Sequence, residues 1–180
     1  MYVLNLLITY LSSNRIEYTG SNQNHTRFAM KEQIKITPIE AARTRYNIAL
    51  LGTETSSQLS MRVQDVAPGD GTPLHVHTEQ AETFHVVRGI FRFQVGDEIV
   101  TGSSGFTVHI PKGIPHSFIY DDVGQKENGH LISVLTPGIH DGFIKNIPEA
   151  EQNGMPLNEL TKMAENFGAK IVGSKLSVQT

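Results

Sequence analysis

Residues 69–89 read Gly69-Asp-Gly-Thr-Pro-Leu-His75-Val76-His77-Thr78-Glu79-Gln80-Ala81-Glu82-Thr-Phe84-His85-Val86-Val-Arg-Gly89. On an extended strand successive side chains alternate faces, so His75 and His77 project to one side and Val76 to the other. Two neutral nitrogen donors held side by side, with a carboxylate delivered by the next strand, are what a divalent transition metal asks of a protein. Glu82 and Glu79 are the rival carboxylates. Parity favours Glu82, because it places Phe84 and Val86 on the same inward face.

A second stretch, Gly105-Phe-Thr-Val-His109-Ile-Pro111-Lys-Gly113-Ile-Pro-His116-Ser-Phe118-Ile-Tyr120, supplies a fourth candidate ligand. His116 follows a Pro/Gly turn and opens a new strand. Taken singly, His25, His85, His109, His130 and His140 read as packed or solvated side chains rather than ligands.

Together the two stretches resemble the paired signature of the cupin superfamily. Its first half is Gly, five residues, His-x-His, three or four residues, Glu, six residues, Gly; its second is Gly, five residues, Pro-x-Gly, two residues, His, three residues, Asn. Gly69, His75, His77, Glu82 and Gly89 match the first half, and Gly105, Pro111, Gly113 and His116 the second. Tyr120 stands where Asn is usual, a position that is not a ligand in the family. The resemblance implies His75, His77, Glu82 and His116 as a metal site, and a jelly-roll (double-stranded β-helix) barrel around it.

The rest of the chain supports the β class independently. Strands are expected at 46–51, 58–66, 74–77, 83–87, 90–95, 98–101, 106–110, 116–120 and 131–136, broken by Gly/Pro turns. Many short strands at even spacing argue for an all-β sandwich or barrel. In the strand from Ile90, Phe91, Phe93 and Val95 share one face, while Arg92 and Gln94 take the other. With Phe84 and Phe118 the apolar face is expected to line the barrel. Phe84, Phe93, Phe118 and Tyr120 are therefore candidate substrate-pocket residues.

After the barrel a short helix is expected at 139–147. A clearer one spans 156–167, with Leu157, Leu160, Met163, Ala164 and Phe167 on one stripe, Pro156 at its start and Gly168 just beyond. This helix is expected against the outside of the barrel, and the tail on an edge strand. The organisation is thus an extension over 1–29, a barrel domain over 30–147 and a helical tail over 148–180. Residues 1–11 are apolar, but no Lys or Arg precedes them and no small-residue cleavage site follows, so neither a signal peptide nor a membrane span is expected.

The 180 residues carry a formal charge of -3 and contain no cysteine. No basic run points to nucleic acid. Thiolate sites and cysteine nucleophiles are excluded, which fits a reducing, cytoplasmic compartment.

Three imidazoles and one carboxylate leave net +1 on a divalent ion. Fe, Mn, Ni, Co, Cu and Zn are all compatible with that donor set. In length and in phrases such as Phe91-Arg-Phe-Gln-Val-Gly-Asp97 and Thr136-Pro-Gly138, the chain is similar to single-domain bacterial cupins that resemble quercetin 2,3-dioxygenase. That likeness implies a metal-dependent dioxygenase acting on a small aromatic or diketone-like substrate, with Glu82 as ligand and proton acceptor. It also implies a homodimer. A non-catalytic metal or ligand-binding module and an isomerase are the alternatives, the latter needing a general acid/base such as Tyr120, His109 or Glu79.

Overall fold

The computed structural model describes residues 37–40, 44–122, 124 and 126–178. The extension expected over 1–29 lies outside the described residues. Among the described residues eleven strands form two antiparallel sheets. The first sheet contains β1 (Thr37–Glu40), β2 (Thr44–Leu50), β3 (Ser60–Val66), β10 (Gly129–Thr136), β5 (Ala81–Arg88) and β8 (Thr107–Ile110), in that spatial order. The second contains β11 (Ala169–Lys175), β4 (Pro73–His77), β9 (His116–Tyr120), β6 (Phe91–Val95) and β7 (Glu98–Gly102). A 3-10 turn at Gly52–Thr55 and two helices, α1 (Asp141–Gln152) and α2 (Leu157–Glu165), complete the chain.

The architecture is the expected all-β jelly roll with short C-terminal helices. Its core lies between the sheets: Val66, Phe84, Val86, Ile110 and Leu131 from the first meet Phe91, Phe93, Phe118 and Tyr120 from the second. The Phe84, Phe93 and Phe118 rings pack at centroid distances of 5.4–6.4 Å, tilted or edge to face. Each fully buried Phe contributes about 1.5–3 kcal/mol of transfer free energy. Gly129 makes room for this cluster, since a Cβ there would run into the rings of Phe91 and Tyr120.

β3 departs from the ordinary alternation. Its buried face is Ser60, Arg62, Gln64 and Val66, while Met61 and Val63 are only partly covered. Met61 and Val63 thus point away from the barrel interior, while Ser60, Arg62 and Gln64 point in with Val66.

α1 spans Asp141–Gln152, past the expected end at residue 147. Phe143, Ile144 and Ile147 of α1 and Ala164 of α2 cover an internal cavity. The tail does pair with an edge: β11 runs antiparallel to β4, with Ala169 opposite His77 and Ile171 opposite His75. Among the described residues no helix is long and apolar enough to cross a membrane.

Candidate metal centre

β4 carries His75 and His77 and is held on both sides. β11 flanks one edge, and on the other His75 is in register with His116 at the start of β9. Between β4 and β5 the turn is pinned by Thr78, whose backbone N–H donates to Gly168 O at 2.8 Å. The chain then crosses to the first sheet, where β5 carries the buried Glu82. The 111–113 turn is tied to the same place, because Gly113 N–H donates to His77 O at 2.8 Å. Gly113 has φ +83°, a conformation that suits a residue without a Cβ.

His75, His77, Glu82 and His116 come together as expected. Their ligating atoms lie within 4.8 Å of one another. Nε2 of His77 is 3.1 Å and Nε2 of His116 is 3.2 Å from Glu82 Oε2. Donors at right angles around an ion with bonds of about 2.1 Å would sit roughly 3.0 Å apart, so the spacing suits a first-row divalent ion. His77, Glu82 and His116 are buried and His75 half-buried. The backbone sets two of the three tautomers: Nδ1–H of His75 donates to Pro73 O and Nδ1–H of His116 to Ile114 O, each at 2.9 Å. Nε2 is then the ring nitrogen each has left for the cluster, and in His116 it is the one that meets Glu82 Oε2. Such outer hydrogen bonds orient metal-binding imidazoles. Nδ1 of His77 has no hydrogen-bond partner among the described residues.

Electrostatics favour the donor form of Glu82 and His75. Burial pushes the Glu82 carboxyl up, but hydrogen bonds from His116 and His77, together with their charge, outweigh it and hold Glu82 well below its ordinary value. Burial, reinforced by neighbouring His116 and His77, lowers His75 to about 3. A neutral imidazole and an ionised carboxylate are the states that bind metal.

The cluster closes one end of a cavity of about 150 Å³. Of the expected pocket residues, Phe84 and Phe118 line it. Phe93 and Tyr120 do not, and belong to the packed core instead. The reason is position along the strands. Tyr120 lies four residues past His116 on β9, about 13 Å farther down the barrel, where it stacks on Phe91 and its hydroxyl donates to Glu127 O at 3.3 Å. Phe93 pairs with Phe118 in the β6–β9 ladder and is fully buried in the core.

The candidate acid/base groups for an isomerase lie elsewhere. His109 is exposed and shares a 2.9 Å hydrogen bond with Thr83, and Glu79 is exposed in the β4–β5 turn. His140, which reads as an ordinary packed histidine, instead lines the cavity, with its ring 4.8 Å from that of His77 and Nδ1–H donating to Phe167 O at 3.0 Å. Burial, then the Arg62 guanidinium and His77, lower it to about 3. Arg62 and Gln64 line the cavity too, and neither stands out in the sequence. Their signal is a period-two run of polar residues in a strand, which alternation alone assigns to the solvent face.

Residues 62–126 match the family of cupin domains. The barrel has the cupin fold. Solved cupin-like structures of similar fold include KdgF from a Halomonas species (TM-score 0.50, 16% identity, 57% of this chain and 88% of that chain). A "predicted oxalate decarboxylase" from Thermotoga maritima aligns with TM-score 0.51 and 17% identity over 57% of this chain and 94% of that one. Streptomyces PAC13 with uridine aligns with TM-score 0.52 and 9% identity over 78% and 87%. At these identities the likeness is one of fold. No curated protein sequence matches the chain. The cupin barrel thus holds a buried His/His/Glu/His cluster compatible with a metal ion.

Proposed function

We propose that this cupin is a metal-dependent dioxygenase acting on a compact, bidentate substrate of the diketone or single-ring aromatic kind. The observation that carries the proposal is the convergence of three imidazoles and one carboxylate, of which His75, His77 and Glu82 line a cavity whose other walls are largely apolar. Such a donor set, filled by a six-coordinate divalent ion, would supply a Lewis acid with two positions left open, enough for the two oxygens of a chelating substrate.

The chain's own groups would do the rest. Phe84 and Phe118 press a flat substrate against the cluster, and Phe143, Ile144 and Ile147 keep water from the reacting carbon. Glu82, held ionised, accepts the proton that leaves a diketone as it becomes an enolate. In the overall reaction both atoms of O₂ enter the substrate as one carbon–carbon bond breaks.

Cavity size narrows the substrate class. A void of about 150 Å³ holds a molecule near the size of benzene. A flavonol has roughly three to four times as many non-hydrogen atoms as benzene, so the quercetinase-like substrate is replaced here by a smaller one.

The test is anaerobic loading of full-length protein with Fe(II), Mn(II), Co(II), Ni(II) or Cu(II), followed by oxygen uptake with acetylacetone and with catechol. Uptake with matching cleavage product from at least one metal form is expected. A loaded protein that binds these compounds and consumes no oxygen with any metal would replace the oxygenase with a ligand-binding role.

A further inference from the structure

His140 stands on the cavity wall just ahead of α1, is 2% exposed, and is held from several directions. Nδ1–H donates to Phe167 O at 3.0 Å, which ties the start of α1 to the residues leading into β11. The next residue, Asp141, accepts from Gly52 N–H and anchors the backbone on the other side. The approach is close, because a Cβ on Gly142 would run into the Phe167 ring. The His140 ring meets that of His77 edge to face at 4.8 Å and packs on Phe143 at 5.0 Å.

An asparagine could make the Phe167 bond alone. Histidine adds a second nitrogen, and Nε2 of His140 has no hydrogen-bond partner among the described residues. The residue is closed to bulk solvent and lines the cavity, so what Nε2 can meet is whatever occupies that space. A polar atom withdrawn from water without a partner costs free energy that a ligand group pairing with it restores.

The ring decides the chemistry of that group. Phe167 O can only accept, so Nδ1 carries a hydrogen, and Nε2 is either a bare acceptor or an N–H donor. A hydroxyl suits both forms because it donates and accepts, whereas a carbonyl or carboxylate oxygen suits only the second. The choice is therefore independent of the charge on the ring. Position follows from the contact with His77. One ring contact separates His140 from a member of the cluster, which sets the hydroxyl beside the oxygens bound there rather than at the far end of the molecule.

We propose that His140 is a specificity-determining residue whose Nε2 pairs with a hydroxyl adjacent to the two chelating oxygens, so that the preferred substrate bears three neighbouring oxygens, as a trihydroxybenzene does. The inference rests on reading the cavity as the site of a chelating substrate and adds one further group to that substrate.

Catechol and pyrogallol isolate the group, since both chelate through neighbouring oxygens and pyrogallol carries one more hydroxyl beside them. Each is titrated anaerobically into Co(II)-loaded full-length protein, following the visible cobalt bands, and the ratio of the two Kd values is compared between parent and variants. His140→Asn keeps a donor for Phe167 O and drops the Nε2 position, while His140→Gln does the reverse. The preference for pyrogallol is expected to fall roughly 3- to 10-fold in His140→Asn and to persist in His140→Gln. A ring that only braces α1 predicts the opposite order. If neither variant folds, parent protein with isotope-labelled histidine, loaded with Zn(II), is read by ring-nitrogen NMR. There pyrogallol is expected to move the His140 Nε2 resonance well beyond any effect of catechol.

A ratio unchanged within about twofold in His140→Asn, or a resonance that moves alike with both compounds, overturns the role of His140 and leaves the chelating substrate standing. Cobalt bands that respond to neither compound sink both, with bound cobalt per chain reporting separately whether an ion is held.

Discussion

His75 and His116 stand directly opposite one another across the β4–β9 ladder, with ring centroids 4.3 Å apart. Two imidazolium charges that close would repel, so the pair is suited to sharing one cation between its rings. His75→Ala and His116→Ala should each lose the bound ion, falling from near one per chain to background in elemental analysis, with far-UV dichroism retained. Chelation of the parent should lower its stability by about 4 kcal/mol if free ion had been present at 1,000 times its Kd. Retention of stoichiometric metal in both variants would remove the centre.

Acid should destabilise the ion-free protein well above the pH at which carboxylates titrate. His75 and His140 are each lowered to about 3 from an ordinary 6.5. Between those values the unfolded chain binds protons that the folded chain does not, so stability is fully present above pH 6.5 and falls as pH drops toward 3. With two such groups the slope approaches about 2.7 kcal/mol per pH unit. Urea midpoints measured from pH 7 to pH 4 should fall steadily. A flat profile over that range would mean these rings are not held neutral.

Two phenylalanines of the same cluster should behave differently when shortened. Phe93 is sealed in the core and Phe84 also lines the cavity. Phe93→Ala should cost about 3–5 kcal/mol and leave metal content as in the parent. Phe84→Ala should also destabilise, but in addition admit bulkier diketones than the parent accepts. Thermal melts and a substrate-size series separate the two.

Arg92 and Asp121 form a buried ion pair at 2.6 Å, and Arg92 also donates to Ser177 O beyond β11. Removing one partner strands the other charge, so Asp121→Ala should cost about 3–5 kcal/mol in denaturant unfolding. A loss under about 1 kcal/mol would show that the pair behaves as if solvated.

The ligand set was legible because it is local in sequence: His75, His77 and Glu82 sit within one strand–turn–strand unit, and the Pro111/Gly113 turn marks His116. Strand alternation also found β4 to β10 within a residue or two at most ends. What escaped is what only the assembled barrel decides. Arg62 and Gln64 look like solvent-facing residues until β3 is paired between β2 and β10, which turns them inward. His140 reaches His77 through the placement of α1, and Tyr120 and Phe93 fall on the core side because of their depth along β9 and β6, which periodicity does not measure.

β11 emerges from the ribosome after every other strand of the barrel, yet it is the hydrogen-bonding neighbour of the strand that bears His75 and His77. Translation therefore builds the cup of ligands before its cover. Until β11 is made, the nascent chain presents β4 with one edge bare.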